Sequence, residues 1–134
     1  MSPRRLSNIL HVDDDDSIRE IVKVALERLG GFLVSSVPSG EEALCAARER
    51  VPDLVLLDVM MPGMDGPATL QALRKDPLTQ DVPVVFLTAK AMRKDVTELE
   101  RLGAEGVIGK PFRARELVEA LNLVWQAHLE RQGG

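Results

Sequence analysis

The chain has 134 residues, of which 45% are hydrophobic and 28% charged, with a net charge of −4. That length suits one domain with its own core, and a mild acidic balance without a Lys/Arg stripe argues against a nucleic-acid partner. A single cysteine, Cys45, excludes an internal disulfide and a CxxC site. With neither a signal-peptide core nor an apolar run of spanning length, a cytoplasmic protein with no membrane partner is expected.

In chain order, residues 8–12 form a short apolar run that reads as a strand. Residues 15–29 follow with helical spacing of Ile18, Ile21, Val22, Ala25, Leu26 and Leu29, stopped by Gly30 and Gly31. A second strand is expected over 32–37 and a second helix from Ser39 to about residue 50, before Pro52. Cys45, among Ala43, Leu44, Ala46 and Ala47, is expected to be a small buried hydrophobe on that helix.

The wholly apolar stretch 54–57 is the third strand, followed by a Met-, Pro- and Gly-rich loop at 58–66. The third helix runs from about 67 to 75, with Pro67 in its first turn, where its missing N–H costs nothing. Residues 82–87 form a fourth strand with Pro83 at its start. A polar helix over about 89–102, a fifth strand over 106–109 and a last helix over about 113–130 complete the chain. The last helix carries its stripe at Leu117, Leu121, Val124 and Trp125.

Strands that are unbroken apolar runs, separated by helices, imply a parallel sheet covered on both faces. Right-handed crossovers restrict it to a doubly wound α/β fold. A tail at 1–7, one domain over 8–130 and a C-terminal tail at 131–134 are expected; Gly133-Gly134 reads either as a frayed end or as the start of a linker. His11 reads as a packed or edge-strand residue and makes no metal site with His128. Trp125 either packs the last helix on the sheet or belongs to a partner surface.

Parallel strands share one C-terminal edge, so the residue after each apolar run is informative. Asp13 and Asp14 follow the first strand, Asp58 the third, Thr88 the fourth and Lys110 the fifth. Two carboxylates 4 Å apart repel by about 4 kcal/mol at an effective dielectric of 20, so three need a cation or a proton. Mg²⁺ suits carboxylate and phosphate oxygens, Lys110 adds a fixed positive charge, and Asp is an accepted nucleophile in phosphoryl transfer. Singly, each residue has an ordinary reading: Asp13 to Asp16 as a helix N-terminus, Asp58 as a turn, Thr88 as a cap, Lys110 as solvated. Their joint placement on one edge favours the chemical reading.

The strings ILHVDDD, DLVLLDVMMPGMDG, VPVVFLTAK and GVIGKPF resemble, in order and spacing, the receiver domains of two-component response regulators over about residues 8–125. The resemblance implies a flavodoxin-like five-stranded sheet of order 2-1-3-4-5. It implies that Asp58 takes a phosphoryl group from a phosphohistidine on a sensor histidine kinase or a histidine phosphotransfer protein. Asp13, Asp14, Asp58 and the Met60 carbonyl would hold Mg²⁺, with Mn²⁺ as a possible substitute. Lys110 and the Thr88 hydroxyl would meet the phosphoryl group, and the Lys110–Pro111 bond would be cis. A downstream protein would be met through the fourth helix, fifth strand and fifth helix, by a monomer or a phosphorylation-dependent dimer.

Two positions depart from the family pattern. Val107 stands where an aromatic rotor is common, and valine is too short and stiff for that role; displacement of the loop after Thr88 is the alternative readout. Met60 and Lys90 stand where the family tunes dephosphorylation, and neither offers a good acceptor for an attacking water, so slow self-dephosphorylation is expected. Three rival readings remain: an aspartyl-phosphate phosphatase, which lacks an acid at Met60; a flavodoxin-like cofactor binder, which four aspartates after the first strand oppose; and a receiver acting only as an interaction module.

Overall fold

The computed structural model describes residues 4–133. Five strands alternate with five helices: β1 (Asn8–Val12), α1 (Asp16–Gly30), β2 (Leu33–Val37), α2 (Gly40–Glu49), β3 (Leu54–Asp58), α3 (Gly66–Lys75), β4 (Val84–Thr88), α4 (Arg93–Arg101), β5 (Gly106–Gly109) and α5 (Ala114–Gly133). All pairings are parallel and the sheet order is β2-β1-β3-β4-β5, the doubly wound flavodoxin-like arrangement.

The strands are unbroken apolar runs because both faces are covered. Leu10, Val12, Val55, Leu57, Val84 and Phe86 meet Ala43 and Ala47 of α2, Leu70 and Leu73 of α3, and Leu99 of α4. The alternate residues Ile9, Leu54, Leu56, Val85 and Leu87 meet Val22 and Leu26 of α1 and Leu117, Leu121 and Trp125 of α5. Trp125 therefore packs α5 onto the sheet, with its Nε1–H donating to the Arg4 carbonyl at 2.8 Å.

Helix starts follow their caps. Asp15 accepts from the Ser17 and Ile18 amides, Ser39 from Glu42, and Asp65 from Ala68, each satisfying donors that have no partner inside the helix. Helix α4 differs from the sequence reading. It begins at Arg93 rather than near residue 89, because the Thr88 hydroxyl accepts the Lys90 amide at 3.0 Å and holds 89–92 as a loop. Its N-cap position, Met92, offers no side-chain bond.

Four expectations meet a different geometry. Cys45 is exposed, not buried: α2 buries Gly40, Ala43 and Ala47, and at 100° per residue Cys45 falls on the opposite side from Ala43 and Ala47. On α1, Val22, Ala25 and Leu26 are buried, but Ile21 and Leu29 are more than half exposed, since the sheet and α5 cover only the centre of that stripe. Residues 4–7, within the expected tail, are tied down. Ser7 and Asn8 amides donate to Asp53 Oδ2 at 3.0 and 2.9 Å, the Leu33 amide donates to the Ser7 carbonyl, and Arg4 pairs with Asp53. At the other end α5 continues to Gly133, past the expected stop near residue 130. The rest of the expected tails, residues 1–3 and Gly134, lies outside the described residues.

Candidate functional site

The right-handed crossovers bring the C-terminal ends of β1, β3, β4 and β5 to one edge, where β1 and β3 lead their helices to opposite faces of the sheet. Carboxylate oxygens of Asp13, Asp14 and Asp58 all lie within 4.8 Å of one another there. Asp13 is fully buried, Asp58 is buried at the last position of β3, and Asp14 is exposed.

The loops are fixed by their backbones. The Asp13 amide donates to the Val37 carbonyl, and Asp13 Oδ1 accepts the Asp15 amide at 2.9 Å. After β3 the chain folds back tightly, the Gly66 amide donating to the Val59 carbonyl. A Cβ at Gly66 would lie 2.8 Å from Val59 Cα and collide with the Asp58 carbonyl, so only glycine permits this return.

Lys110 reaches into the acids from the end of β5. Its Nζ stands 3.2 Å from Asp13 Oδ2 and 3.4 Å from Asp58 Oδ1. Its backbone amide donates to the Thr88 carbonyl at 2.8 Å, and the Lys110–Pro111 peptide is cis. Thr88 is buried at the end of β4, with its hydroxyl facing the loop that follows. Met60 and Lys90 are exposed, and Val107 is half-buried against the α2/α3/α4 face of the core.

Burial, then the charge of Asp13, raises the Asp58 carboxyl above its ordinary value, against the opposing charge and hydrogen bond of Lys110. Burial alone would lower the Lys110 ammonium, but Asp13 and Asp58 outweigh it and raise it. One ammonium among three carboxylates leaves a pocket two charges short of neutral. Hard oxygen donors with that deficit fit a divalent cation of the Mg²⁺ kind, and Asp14, without a hydrogen bond or ion pair among the described residues, is free to turn to it.

Four expected residues, Asp13, Asp14, Asp58 and Lys110, thus converge, and Thr88 borders them. The other two aspartates of the run, Asp15 and Asp16, serve α1: Asp15 caps it, and Asp16 pairs with Arg19. Arg19, on α1 and outside the pocket, is not marked by any strand end. Its Nη1 donates to the Asp13 carbonyl at 2.6 Å, and the one sequence signal for it is the i,i+3 spacing from Asp16.

The family profile described as "Response regulator receiver domain" matches residues 9–122. Among curated relatives, the phosphate regulon transcriptional regulatory protein PhoB of Pseudomonas aeruginosa is 40% identical over 116 residues, covering 87% of this chain and 50% of that protein. The DNA-binding response regulator MtrA of Mycobacterium tuberculosis is 46% identical over 110 residues, covering 82% and 46%. The chain spans about half the length of these relatives. Among solved structures, the chemotaxis protein CheY4 of Vibrio cholerae superposes with a TM-score of 0.83 at 32% identity, covering 90% of this chain and 99% of that one. The receiver domain of a Francisella response regulator gives 0.81 at 29%, covering 90% and 98%.

Proposed function

The chain belongs to the response regulator receiver family of two-component signalling, and from that premise we propose that Asp58 is its phosphoacceptor, served by Asp13, Asp14, Thr88 and Lys110. The observation that carries this reading is the convergence of three carboxylates within 4.8 Å around Lys110. The receiver is a regulatory phosphoacceptor domain rather than a turnover enzyme, and its family implies a histidine kinase as partner; here the donor is taken to be a sensor histidine kinase or a histidine phosphotransfer protein. The domain is taken as residues 8–130 together with the anchored residues 4–7 and the end of α5 at 131–133, acting in the cytoplasm; no helix among the described residues is long and apolar enough to cross a membrane.

Asp58 Oδ attacks the phosphorus of the phosphohistidine. The new O–P bond forms as the N–P bond breaks, and its electron pair stays on the imidazole nitrogen. Asp13, Asp14 and Asp58, with the Met60 carbonyl, are the oxygens that would hold Mg²⁺, or Mn²⁺ in its place. When bound, the ion supplies neutralising charge for the phosphoryl oxygens. Lys110 holds a positive charge beside the acceptor, where the developing negative charge needs it. Asp13, buried and bonded to Lys110, keeps that ammonium aimed at the pocket.

The switch begins at Thr88. Its hydroxyl accepts the Lys90 amide; turning to donate to a phosphoryl oxygen would surrender that bond and release the 89–92 loop. Since Met92 offers α4 no side-chain cap, loop displacement can carry the signal to α4 without an aromatic at Val107. The output surface is then α4, β5 and α5, meeting a downstream protein as a monomer or a phosphorylation-dependent dimer. In the test, a radiolabelled phosphohistidine donor is mixed with this chain. Label that moves to the chain, is alkali-labile and is lost in Asp58→Asn supports the reading; transfer that persists in Asp58→Asn contradicts it.

A further inference from the structure

Arg19 sits on the second turn of α1, outside the acidic pocket, with its side chain 19% exposed. Nη1 donates to the Asp13 carbonyl at 2.6 Å, and Nη2 bonds Asp16, whose own side chain is 90% exposed. The inner bond is therefore the sheltered one, while the outer arm competes with water.

The Asp13 carbonyl belongs to the rigid plane that carries the Asp14 amide. Fixing that oxygen fixes the orientation in which Asp14 leaves β1. Asp13 needs little more help: its amide is held by Val37, Oδ1 by the Asp15 amide and Oδ2 by Lys110. Asp14 has no such anchors among the described residues, so its place in the pocket depends on the peptide before it.

We propose that Arg19 is a positioning residue for the Asp13–Asp14 peptide, holding the exposed Asp14 carboxylate in register with Asp13 and Asp58 and thereby setting the affinity of the pocket for a divalent cation. The inference rests on the receiver reading of that pocket. Arg19 touches neither the cation nor the phosphoryl group. The planar fork of arginine suits the task, since it spans a carbonyl and a carboxylate at once.

The sign of the effect separates positioning from simple charge. Removing a cation near a cation site strengthens metal binding on electrostatics alone; removing a positioning group weakens it. The experiment measures Mn²⁺ affinity by electron paramagnetic resonance. It also measures the Mg²⁺ dependence of phosphoryl uptake from acetyl phosphate, for wild type, Arg19→Met and Asp16→Ala.

For Arg19→Met the expected result is Mn²⁺ binding weaker by ~10-fold, the scale on which groups that orient metal ligands act. The half-saturating Mg²⁺ concentration should rise by a similar factor, and the uptake rate at saturating Mg²⁺ should change by less than about twofold. Asp16→Ala, which removes the outer arm and an exposed charge that solvent and salt screen, should bind Mn²⁺ within about twofold of wild type. Equal or tighter Mn²⁺ binding by a folded Arg19→Met overturns the proposal. Should Arg19→Met not fold, Arg19→Lys decides: it keeps the charge but loses the fork, and affinity equal to wild type overturns the proposal, whereas a drop of about threefold or more upholds it. A wild type that binds no Mn²⁺ and takes no phosphoryl group overturns the receiver-site reading itself, and this inference with it.

Discussion

Lys110 Nζ stands 3.4 Å from Asp58 Oδ1, so one ammonium occupies space and charge that a divalent cation would also claim. Lys110→Met should therefore have two effects of opposite sign. Metal affinity should rise, because a repelling charge is gone, while phosphoryl uptake should fall by ~10²-fold, the scale for losing one preorganised charge at a reacting centre. Mn²⁺ titration and acetyl phosphate kinetics on the same protein read both. Weaker metal binding in Lys110→Met would show that the lysine organises the acids rather than competing with the ion.

Asp58 gives a stability prediction with a definite sign. Its folded-state carboxyl is raised, by burial first and by Asp13 next. The folded chain therefore holds a proton that the unfolded chain has lost, over the window from the ordinary carboxylate range up to the raised value. Stability from this group is lost as pH rises through that window, so above it the ionised Asp58 destabilises the fold. Asp58→Asn should raise the metal-free melting temperature at pH 7 by a few degrees, at roughly 4 °C per kcal/mol for this size. Saturating Mg²⁺ should narrow the gap by stabilising wild type. A lower metal-free melting temperature for Asp58→Asn would contradict the repulsion argument.

His11 should dominate the acid side of the stability curve. It is fully buried in β1, opposite Ser36 and Leu56 in the neighbouring strands, and neither ring nitrogen has a partner among the described residues. Burial, then Lys110 and Arg19, pushes its pKa down to about 4. Between about 6.5 and 4 the unfolded chain binds a proton that the folded chain refuses, so stability present above 6.5 is lost as pH falls, by up to roughly 3 kcal/mol. Asp58 opposes this trend, so the slope is best isolated by urea unfolding of His11→Val beside wild type. The variant should lose less stability from pH 6.5 to 4.5; an unchanged slope would show that His11 is not its source.

The phosphoryl lifetime should be long. Met60 and Lys90 are both exposed, two residues past Asp58 and Thr88, and neither a thioether nor an ammonium accepts a hydrogen bond well enough to aim a water. Met60→Asn combined with Lys90→Glu should shorten the half-life by about tenfold, one 1.4 kcal/mol step in the barrier. It is followed by phosphate release after the donor is removed. An unchanged half-life would place control of hydrolysis elsewhere.

The particular elements explain what could be read from sequence. Leu54 to Leu57 and Val84 to Leu87 are buried without exception, and continuous burial leaves an unbroken apolar run that needs no periodicity to detect. Asp13, Asp58, Thr88 and Lys110 were legible because parallel strands turn sequence position into a shared edge. The start of α4 was not, since residues 89–92 have fair helix propensity and only the Thr88 hydroxyl, acting across a turn, diverts them. Ile21 and Leu29 were misjudged because a periodic stripe marks the apolar side of a helix but not how wide a strip the neighbours cover, and Cys45 because its apolar neighbours in sequence lie on the other side of the helix. Arg19 escaped notice because its partner is a backbone carbonyl, which has no signature in sequence.

The most direct test of the account is intact mass after incubation with acetyl phosphate, with and without Mg²⁺, for wild type and Asp58→Ala. A gain of one phosphoryl group that requires Mg²⁺ and is absent from Asp58→Ala is expected. No gain by wild type under any condition, or an undiminished gain by Asp58→Ala, would contradict it.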